Sequence, residues 1–361
     1  MRRNKLLIIT PEFSTIGGVS SLYNILKPFF DTNFVEFFHA GSRQEASKGI
    51  IRVLFRIAGD YISFLKKLNK REHSTIILNP SLANKSLIRD GIFLLLAKLF
   101  NLKVIIFFHG WKKNTEQLIV FRFKCLFSLI YFQADTIIVL ADQYKKVLDN
   151  IGYQGNLIVG NTCVDYQFAS HFSQLKRTFE YGNKFKYTIL YLNRIEKEKG
   201  VYEAINIFQA IRKRFENVQM IIAGSGSEFS SVKQYVTEKN IPDLLLLGYV
   251  SGFEKINVFK EADCYLFTSY SEGMPVSVLE AMTAGLPVIT TPVGGLIDFF
   301  EPGKMGYMFS LEDEDLILKT IETLMNDQKQ ATDISKYNMV YANEHFSAFN
   351  LSKKICQIAG L

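Results

Sequence analysis

The chain has 361 residues, 48% of them hydrophobic, and a formal net charge of +7. This length exceeds what one hydrophobic core usually serves, so two domains are expected. The four cysteines are far apart in the sequence, which argues against a disulfide framework or a structural zinc site and fits a reducing compartment.

The N-terminus begins with the basic and apolar stretch MRRNKLLIITPEF. Its apolar part ends at Pro11 and Glu12, too soon for a signal peptide, so we predict a first strand there. The longest apolar stretch, residues 118–132, is interrupted by Arg122 and Lys124 and falls short of the ~18 apolar residues of a membrane span. A cytoplasmic protein is therefore expected.

Strands and helices alternate along the first part of the chain. The predicted strands are residues 5–10, 34–38, 75–79, 103–109, 135–140 and 156–160. A helix from about residue 19 and a long amphipathic helix at about 45–70 are among the connections. Near-continuous apolar strands joined by helices indicate a parallel sheet that is covered on both faces.

After residues 163–186, whose weak periodicity predicts a linker, the same alternation begins again. The predicted strands are residues 187–193, 218–224, 244–249, 264–269, 286–290 and 306–309, with helices at about 200–214, 228–239, 253–260, 276–284 and 313–326. The predicted fold class is thus α/β, with two Rossmann-like domains at residues 1–165 and 166–340. Residues 341–361 are predicted to form a terminal helix that packs back toward the first domain.

Charge is distributed unevenly between these two parts. Through Asp165 the chain has 22 basic and 12 acidic residues, whereas the remainder has 20 and 23. A basic first half suggests an anionic partner for that half, such as a membrane surface, a lipid-linked phosphate or a nucleic acid.

Small and basic residues follow several predicted strands, at the end where parallel α/β sheets bind their ligands. These residues are Gly17, Gly18, His109, Arg194, Lys197, Lys199, Gly200 and Gly224. Glycine lets backbone N–H groups approach a ligand closely, and basic side chains can pair with a diphosphate. A tight turn, a structural histidine and a solvated basic loop are the alternative explanations at the individual positions.

The stretch SEGMPVSVLEAMTAGLPVITTPVGG, residues 271–295, contains two glutamates eight positions apart. Glu272 lies in a loop before a predicted helix whose first turn would hold Pro275, and Glu280 lies inside that helix. A helix N-terminus suits a phosphate, whereas carboxylates suit hydroxyl groups, so the pattern predicts a ligand that carries both. Glu272 as a helix cap and Glu280 as a solvated residue remain the alternative, although the apolar surroundings of Glu280 disfavour its exposure.

The Glu272–Glu280 stretch, together with RIEKEKG at 194–200, AGSGSE at 223–228 and LGYV at 247–250, resembles the retaining glycosyltransferases of family 4. The likeness is strongest over residues 187–310. It implies the GT-B fold, in which two Rossmann-like domains face a central cleft. It also implies transfer of a sugar from a nucleotide sugar, UDP first and GDP next, in bacterial polysaccharide or lipopolysaccharide synthesis.

The resemblance also implies roles for individual residues. Arg194 and Lys199 would hold the donor diphosphate and stabilise it as the leaving group. Glu272 would bind the hydroxyls of the transferred sugar, and Glu280 those of the ribose, while His109 would lie beside the sugar or the acceptor. Further donor contacts are implied for Gly17, Gly18, Gly224, Tyr249, Val250, Gly273, Met274, Pro275 and Val276. No metal and no cofactor are implied beyond the nucleotide sugar itself.

The acceptor is predicted to be a glycan or a lipid-linked glycan. Residues 48–71 interleave basic and apolar side chains, the composition of a helix that lies on a membrane surface. Peripheral attachment to the inner face of the cytoplasmic membrane is therefore a hypothesis, and an ordinary surface helix packed on the sheet is its alternative.

Two classes of alternative function stay open. One is another enzyme on the same architecture, a nucleotide-sugar epimerase or a phosphorylase, although no pyridoxal-phosphate lysine is apparent. The other is a non-enzymatic nucleic-acid-binding protein, which the pI of about 9.0 prompts. Nucleic acid is not the expected partner, because the sequence contains no recognised nucleic-acid-binding module.

Overall fold

A computed structural model describes residues 5–15, 17–41, 50–173 and 186–361, without the side chains of residues 50, 51 and 54. The chain forms two compact units. The first comprises Met1–Thr162 and Ala348–Leu361, and the second comprises Cys163–Ser347. Each unit contains its own parallel sheet with helices between the strands, which confirms the α/β fold class.

Strands and helices alternate along most of the first unit. Its strands are β1 (Lys5–Thr10), β2 (Val35–His39), β3 (His73–Leu78), β4 (Ser81–Leu82), β5 (Lys103–Phe107), β6 (Gly110–Trp111), β7 (Thr136–Val139) and β8 (Asn156–Val159). Its helices are α1 (Gly18–Leu26), α2 (Ile50–Asn69), α3 (Asn84–Leu99), α4 (Lys113–Leu118), α5 (Lys124–Tyr131), α6 (Asp142–Asn150) and the C-terminal helix Ala348–Ala359. A π-helical segment, Ile119–Phe123, joins α4 to α5.

The main sheet of this unit has the strand order β2-β1-β3-β5-β7-β8, and all its strands are parallel. Consecutive residues of β1, such as Leu7 and Ile8, are both fully buried, so both faces of the sheet are covered. Phe64 of α2, Phe93 of α3 and Phe127 of α5 share one core with that sheet, so these helices cover the same face.

The second unit repeats this plan. Its strands are β9 (Tyr187–Leu192), β10 (Val218–Ala223), β11 (Leu244–Gly248), β12 (Cys264–Phe267), β13 (Val288–Thr290) and β14 (Gly306–Met308). Its helices are α7 (Tyr166–Ser170), α8 (Val201–Arg214), α9 (Phe229–Glu238), α10 (Gly252–Glu261), α11 (Val276–Thr283), α12 (Leu296–Phe299), α13 (Glu314–Asn326) and α14 (Gln328–His345). One turn of 3-10 helix, Lys197–Lys199, precedes α8.

The second sheet has the order β11-β10-β9-β12-β13-β14, again with parallel pairs throughout. The chain order reverses between β9 and β12, because β10 and β11 lie on one side of β9 and the later strands lie on the other. Such a reversal leaves a crevice beyond the strand ends, where open α/β sheets bind ligands. Two hydrophobic cores fill the two faces of this sheet.

Two segments differ from the prediction. The predicted linker contains helix α7, whose N-terminus is capped by Asp165, with Oδ1 accepting a 2.9 Å hydrogen bond from Gln167 N. Residues 174–185 of that linker lie outside the described residues. The C-terminal stretch is two helices, because α14 ends at His345 and the next helix begins only at Ala348.

Candidate functional site

The loop after β9 is shaped by Gly200, which lies between the 3-10 turn and α8. Its φ is +71°, and a Cβ at this position would lie 1.9 Å from Thr268 O at the end of β12. Thr268 Oγ1 donates a 2.6 Å hydrogen bond to Gly200 O, and Tyr191 OH donates a 2.8 Å bond to Lys199 O. These contacts hold the loop after β9 tightly against the loop after β12.

Lys199 and Glu272 meet where these two loops come together. Lys199 is only 4% exposed, and its Nζ donates to Glu272 Oε1 over 2.8 Å and to Ser271 O over 2.9 Å. Ser269 Oγ donates to the same Glu272 oxygen over 3.0 Å. Two of the three ammonium N–H groups are thereby used within the described chain, which leaves one for a ligand oxygen.

Two more glycines allow close contacts between loops at the same edge of the sheet. Gly224, after β10, has a φ of +141°, and an added Cβ would lie 1.8 Å from Asn193 O. Gly294, after β13, has a φ of +53°, and an added Cβ would lie 2.2 Å from Gly273 O. Both positions therefore require glycine, and the loops after β9, β10, β12 and β13 form one compact group.

Glu280 lies on α11 and is 6% exposed. Its Oε1 accepts a 2.6 Å hydrogen bond from Lys255 Nζ on α10. Burial raises the pKa of Glu280 above its ordinary value, whereas Lys255 acts in the opposite direction. Lys255 Nζ also lies 5.1 Å from the centre of the Phe168 ring on α7, so this cation is held between an aromatic face and a carboxylate.

Arg194 is placed differently from Lys199. Its side chain is 63% exposed, and Nη1 donates to Glu196 Oε1 over 3.0 Å. Among the described residues, Lys199 thus contacts Glu272, whereas Arg194 pairs with Glu196 of its own loop. An exposed guanidinium at a strand end has the freedom to turn toward an anionic ligand.

The other residues predicted to bind the donor lie around the same strand ends. Tyr249 is 65% exposed, whereas Val250 packs partly against a core of the second unit. Gly273 O accepts a 2.8 Å hydrogen bond from Gly295 N. Met274 is partly buried, Pro275 is buried and Val276 begins α11. Pro275 is therefore the residue before the helix and not part of its first turn.

The predicted residues of the first unit follow β1 and β5. Gly17 precedes α1, Gly18 begins it, and a Cβ on Gly18 would meet nothing within 4 Å. His109 Nε2 lies 2.8 Å from Asn79 Oδ1, which also accepts a hydrogen bond from Tyr23 OH. Burial lowers the pKa of His109 to about 3, so this ring is neutral at physiological pH.

Sequence reasoning did not single out Lys255 or Ser269. No spacing pattern connects position 255 with Glu280, because the two side chains lie on different helices, 25 residues apart. Ser269 lies three residues before Glu272 and looks like an ordinary loop serine. Both partners become apparent only from the packing of the second unit.

Within the described ranges, no three His, Cys, Asp or Glu side chains are grouped in a way that could hold a metal ion. Among the helices of the same ranges, none is both long enough and apolar enough to cross a bilayer.

Comparison with known proteins gives these observations a family context. The sequence pattern of the family described as Glycosyl transferases group 1 matches residues 176–339, somewhat less than half of the chain and entirely within the second unit. The similarity to group 1 glycosyltransferases thus lies within the second unit.

Related sequences extend the similarity beyond this domain. An uncharacterized glycosyltransferase of Methanocaldococcus jannaschii is 21% identical over 90% of this chain and 88% of its own length. The capsular polysaccharide biosynthesis glycosyltransferase CapM of Staphylococcus aureus is 25% identical over 61% of this chain and 60% of its own length.

Solved structures share the fold of the whole chain. Anabaena HepE in complex with UDP has a TM-score of 0.71 and 17% identity, and the match covers 99% of this chain and 100% of that one. Sucrose-phosphate synthase from Thermosynechococcus elongatus has a TM-score of 0.73 and 17% identity, with coverage of 99% and 98%. These neighbours are GT-B glycosyltransferases, so the predicted GT-B fold is confirmed.

Proposed function

We propose that this protein transfers a sugar from a nucleotide sugar to a glycan or lipid-linked glycan acceptor, with retention of the anomeric configuration. A UDP sugar is the favoured donor and a GDP sugar is next. The proposed role is cell-surface polysaccharide synthesis, of which lipopolysaccharide assembly is one form.

The observation that carries this proposal is the position of Lys199. It is a nearly buried ammonium at the point where the strand order reverses, with one N–H left for a ligand. A diphosphate gains negative charge as it leaves, and a fixed cation in a site of low dielectric stabilises that charge strongly. Lys199, with Arg194 turning in from the loop, would supply the positive charge, so the proposed reaction needs no metal.

The carboxylates complete a donor site of the expected chemistry. Lys199 and Ser269 fix the orientation of Glu272, whose carboxylate is the proposed acceptor of hydrogen bonds from the hydroxyls of the sugar. Glu280 is the proposed ribose ligand, held as a carboxylate by Lys255. Tyr249 is the proposed partner of the base, because its exposed ring directly follows β11, the strand that pairs with β10.

The ligands and roles described for similar proteins support the donor class and the biological role. Structures of HepE are described in complex with UDP and with UDP-glucose, and CapM is described as a capsular polysaccharide glycosyltransferase. We extend both properties to this chain as proposals. Transfer to a defined acceptor, followed by NMR of the anomeric proton of the product, tests retention.

Nucleotide binding is the first property to test, by thermal unfolding in the presence of UDP, GDP or ADP. At about 100 times its dissociation constant, a nucleotide adds ~2.7 kcal/mol of stability, which corresponds to about 2–4 °C in a chain of this size. We expect UDP to give the largest shift and Glu280→Gln to reduce that shift.

The matched control is Glu216→Gln, which changes an exposed glutamate in the turn between α8 and β10, outside the strand-end loops, and should leave the UDP shift unchanged. If none of the three nucleotides shifts the unfolding of the wild type, the donor site is contradicted. If both variants lose the shift equally, the role of Glu280 is contradicted, but the donor site itself is not.

A further inference from the structure

Large apolar side chains are exposed on the outer side of three neighbouring helices of the first unit. They are Phe55 and Ile62 on α2, Ile88, Ile92, Leu95 and Leu99 on α3, and Leu118, Phe121, Phe123, Leu126 and Leu129 on the segment from α4 to α5. We call this set the outer face. Contiguous apolar patches of this kind on a protein surface mark sites of contact with another molecule or with a membrane.

The pattern on α3 is regular. Its exposed residues Ile88, Ile92, Leu95 and Leu99 recur at intervals of four, three and four, which places them in one stripe along the helix. The opposite side of α3, including Phe93, is fully buried against the sheet. A helix that is apolar on both sides is expected only where both sides are removed from water.

The segment from α4 to α5 contains the most exposed side chain of the outer face. All six residues from 121 to 126 are exposed, and Phe121 reaches 85% exposure. The π-helical turn Ile119–Phe123 produces this arrangement, since a π-bulge shifts the helix face by which the following residues project. Two phenylalanines and a leucine are therefore presented together in this part of the outer face.

Hydrogen bonds align the three helices side by side. Tyr61 OH on α2 donates to Arg89 O on α3, and Tyr131 OH on α5 donates to Leu87 O on α3. Because all three helices pack their inner sides on the same face of the sheet, their outer sides form one continuous layer.

The charges on these helices have one sign where they reach solvent. Arg52, Lys66, Lys85, Arg122 and Lys124 are exposed. Three carboxylates occur within α2, α3 and the segment from α4 to α5: Asp60 at 7% exposure, Asp90 at 1%, and the partly buried Glu116, which accepts a hydrogen bond from Trp111 Nε1. The outer face therefore combines apolar side chains with a basic rim, and none of the three carboxylates on these described segments is among the exposed residues.

We propose that the outer face binds the surface of an anionic lipid bilayer. Apolar side chains would enter the acyl boundary while lysine and arginine meet the lipid headgroups. A second copy of this chain is a poorer occupant, because it would bring an equally basic rim against the first. The surface extends the sequence hypothesis, which rested on residues 48–71 alone, to three helices centred on the π-helical turn.

Vesicle flotation of the full chain tests this proposal without any nucleotide or acceptor. We expect binding to vesicles of phosphatidylcholine with 30% phosphatidylglycerol, and weaker binding to phosphatidylcholine alone. Removing one large apolar contact should weaken partitioning by roughly tenfold or more, so the double variant Phe121→Ser/Leu129→Ser should remain with the unbound fraction. Arg122→Glu/Lys124→Glu should remove the preference for anionic vesicles.

The matched control is Leu316→Ser, which changes a 51% exposed leucine of α13 in the second unit and should float like the wild type. All these positions are exposed, so circular dichroism and the unfolding temperature should stay unchanged. Size-exclusion chromatography of the wild type and the double variant distinguishes a bilayer from a second copy as the occupant.

Cys125 offers an independent measurement within the outer face. It is the exposed cysteine, whereas Cys163 and Cys264 are buried and Cys356 is partly buried. In a Cys356→Ala background, the emission maximum of a polarity-sensitive fluorophore on Cys125 should move to shorter wavelength when phosphatidylglycerol vesicles are added. In the same background with Cys125→Ser and Leu316→Cys, the emission maximum of the fluorophore on residue 316 should stay unchanged.

The proposal is overturned if the wild type fails to float with anionic vesicles at low salt, or if the control variant loses binding as fully as the double variant. It is also overturned if the wild type is a dimer that the double variant converts to a monomer. None of these outcomes depends on nucleotide binding, so the proposed transferase activity stands or falls separately.

Discussion

At the scale of single residues, Glu280 and Lys255 show how a buried charge is kept usable. A carboxylate at 6% exposure is disfavoured by desolvation, and burial raises the pKa of Glu280 accordingly. Lys255 Nζ at 2.6 Å opposes that rise and leaves the second carboxylate oxygen for another donor. The ion pair with Lys255 therefore favours the carboxylate form of Glu280, which is the form that accepts hydrogen bonds from a ligand.

We predict that Lys255→Met weakens UDP binding about tenfold at pH 7 and more strongly at lower pH. Without the lysine the pKa of Glu280 rises further, so a smaller fraction of the carboxylate remains ionised as the pH falls. Isothermal titration calorimetry between pH 5.5 and 8.5 measures the UDP affinity at each pH. We expect the affinity of the variant to fall off at a higher pH than that of the wild type. Lys260→Met, an exposed lysine on the same helix, is the control, and Lys255→Arg should retain part of the affinity. A variant with the wild-type pH profile would contradict the role of Lys255.

At the scale of secondary-structure elements, the turn into α8 fixes the position of Lys199. Gly200 has a φ of +71° and packs so closely that a side chain would collide with Thr268 O. The C-terminal end of β9, the 3-10 turn and the loop after β12 thus depend on one another. The loop carrying the proposed phosphate ligand is held in place by backbone contacts and not by its own sequence preference.

We predict that Gly200→Ala lowers the free energy of unfolding by about 2–4 kcal/mol, because it adds a backbone collision to an unfavourable φ. Gly303→Ala is the matched control, since Gly303 has a φ of +85° with nothing within 4 Å of an added Cβ. That variant should lose only about 1 kcal/mol, from the backbone conformation alone. Urea denaturation measures both values. Equal losses would show that the contact with Thr268 contributes nothing.

At the scale of the whole molecule, the chain consists of two units with separate sheets and cores. The main chain passes between them at Thr162–Cys163 and again at Ser347–Ala348. The C-terminal helix belongs to the first unit, where Thr75 Oγ1 donates to Ala359 O and Lys103 Nζ donates to Ile358 O. The first unit is therefore assembled from both ends of the sequence.

We predict two calorimetric unfolding transitions, of which UDP raises only one. Ligand stabilises the unit that binds it, and independent cores unfold independently. Hydrogen exchange with and without UDP assigns the shifted transition, and we expect protection in the loops after β9, β11 and β12. A single transition that moves as a whole with UDP would contradict independent unfolding of the two units.

The sequence by itself determined the strands of the two six-stranded sheets and most of the helices, but not the short strands β4 and β6. Parallel strands are buried on both faces, so they appear as short apolar runs, and β1, β9 and β10 lie within a residue of their predicted positions. It also placed glycines and basic residues at strand ends, because a turn after a strand limits the residue types it accepts. Helix α14 was not predicted, because its exposed side is polar and its apolar periodicity is weak. Its N-terminus does carry a recognisable cap, since Asp327 Oδ1 accepts a 2.9 Å hydrogen bond from Gln330 N.

Only the tertiary structure decided which of these residues meet. Lys199 and Glu272 are 73 positions apart, and they touch because β9 and β12 are neighbours at the reversal of strand order. The pairing of Lys255 with Glu280, and the alignment of three helices into the outer face, likewise depend on packing across the sheet. A local pattern encodes the period of one element, whereas the contacts between elements follow from the order of strands, which no single stretch of the sequence contains.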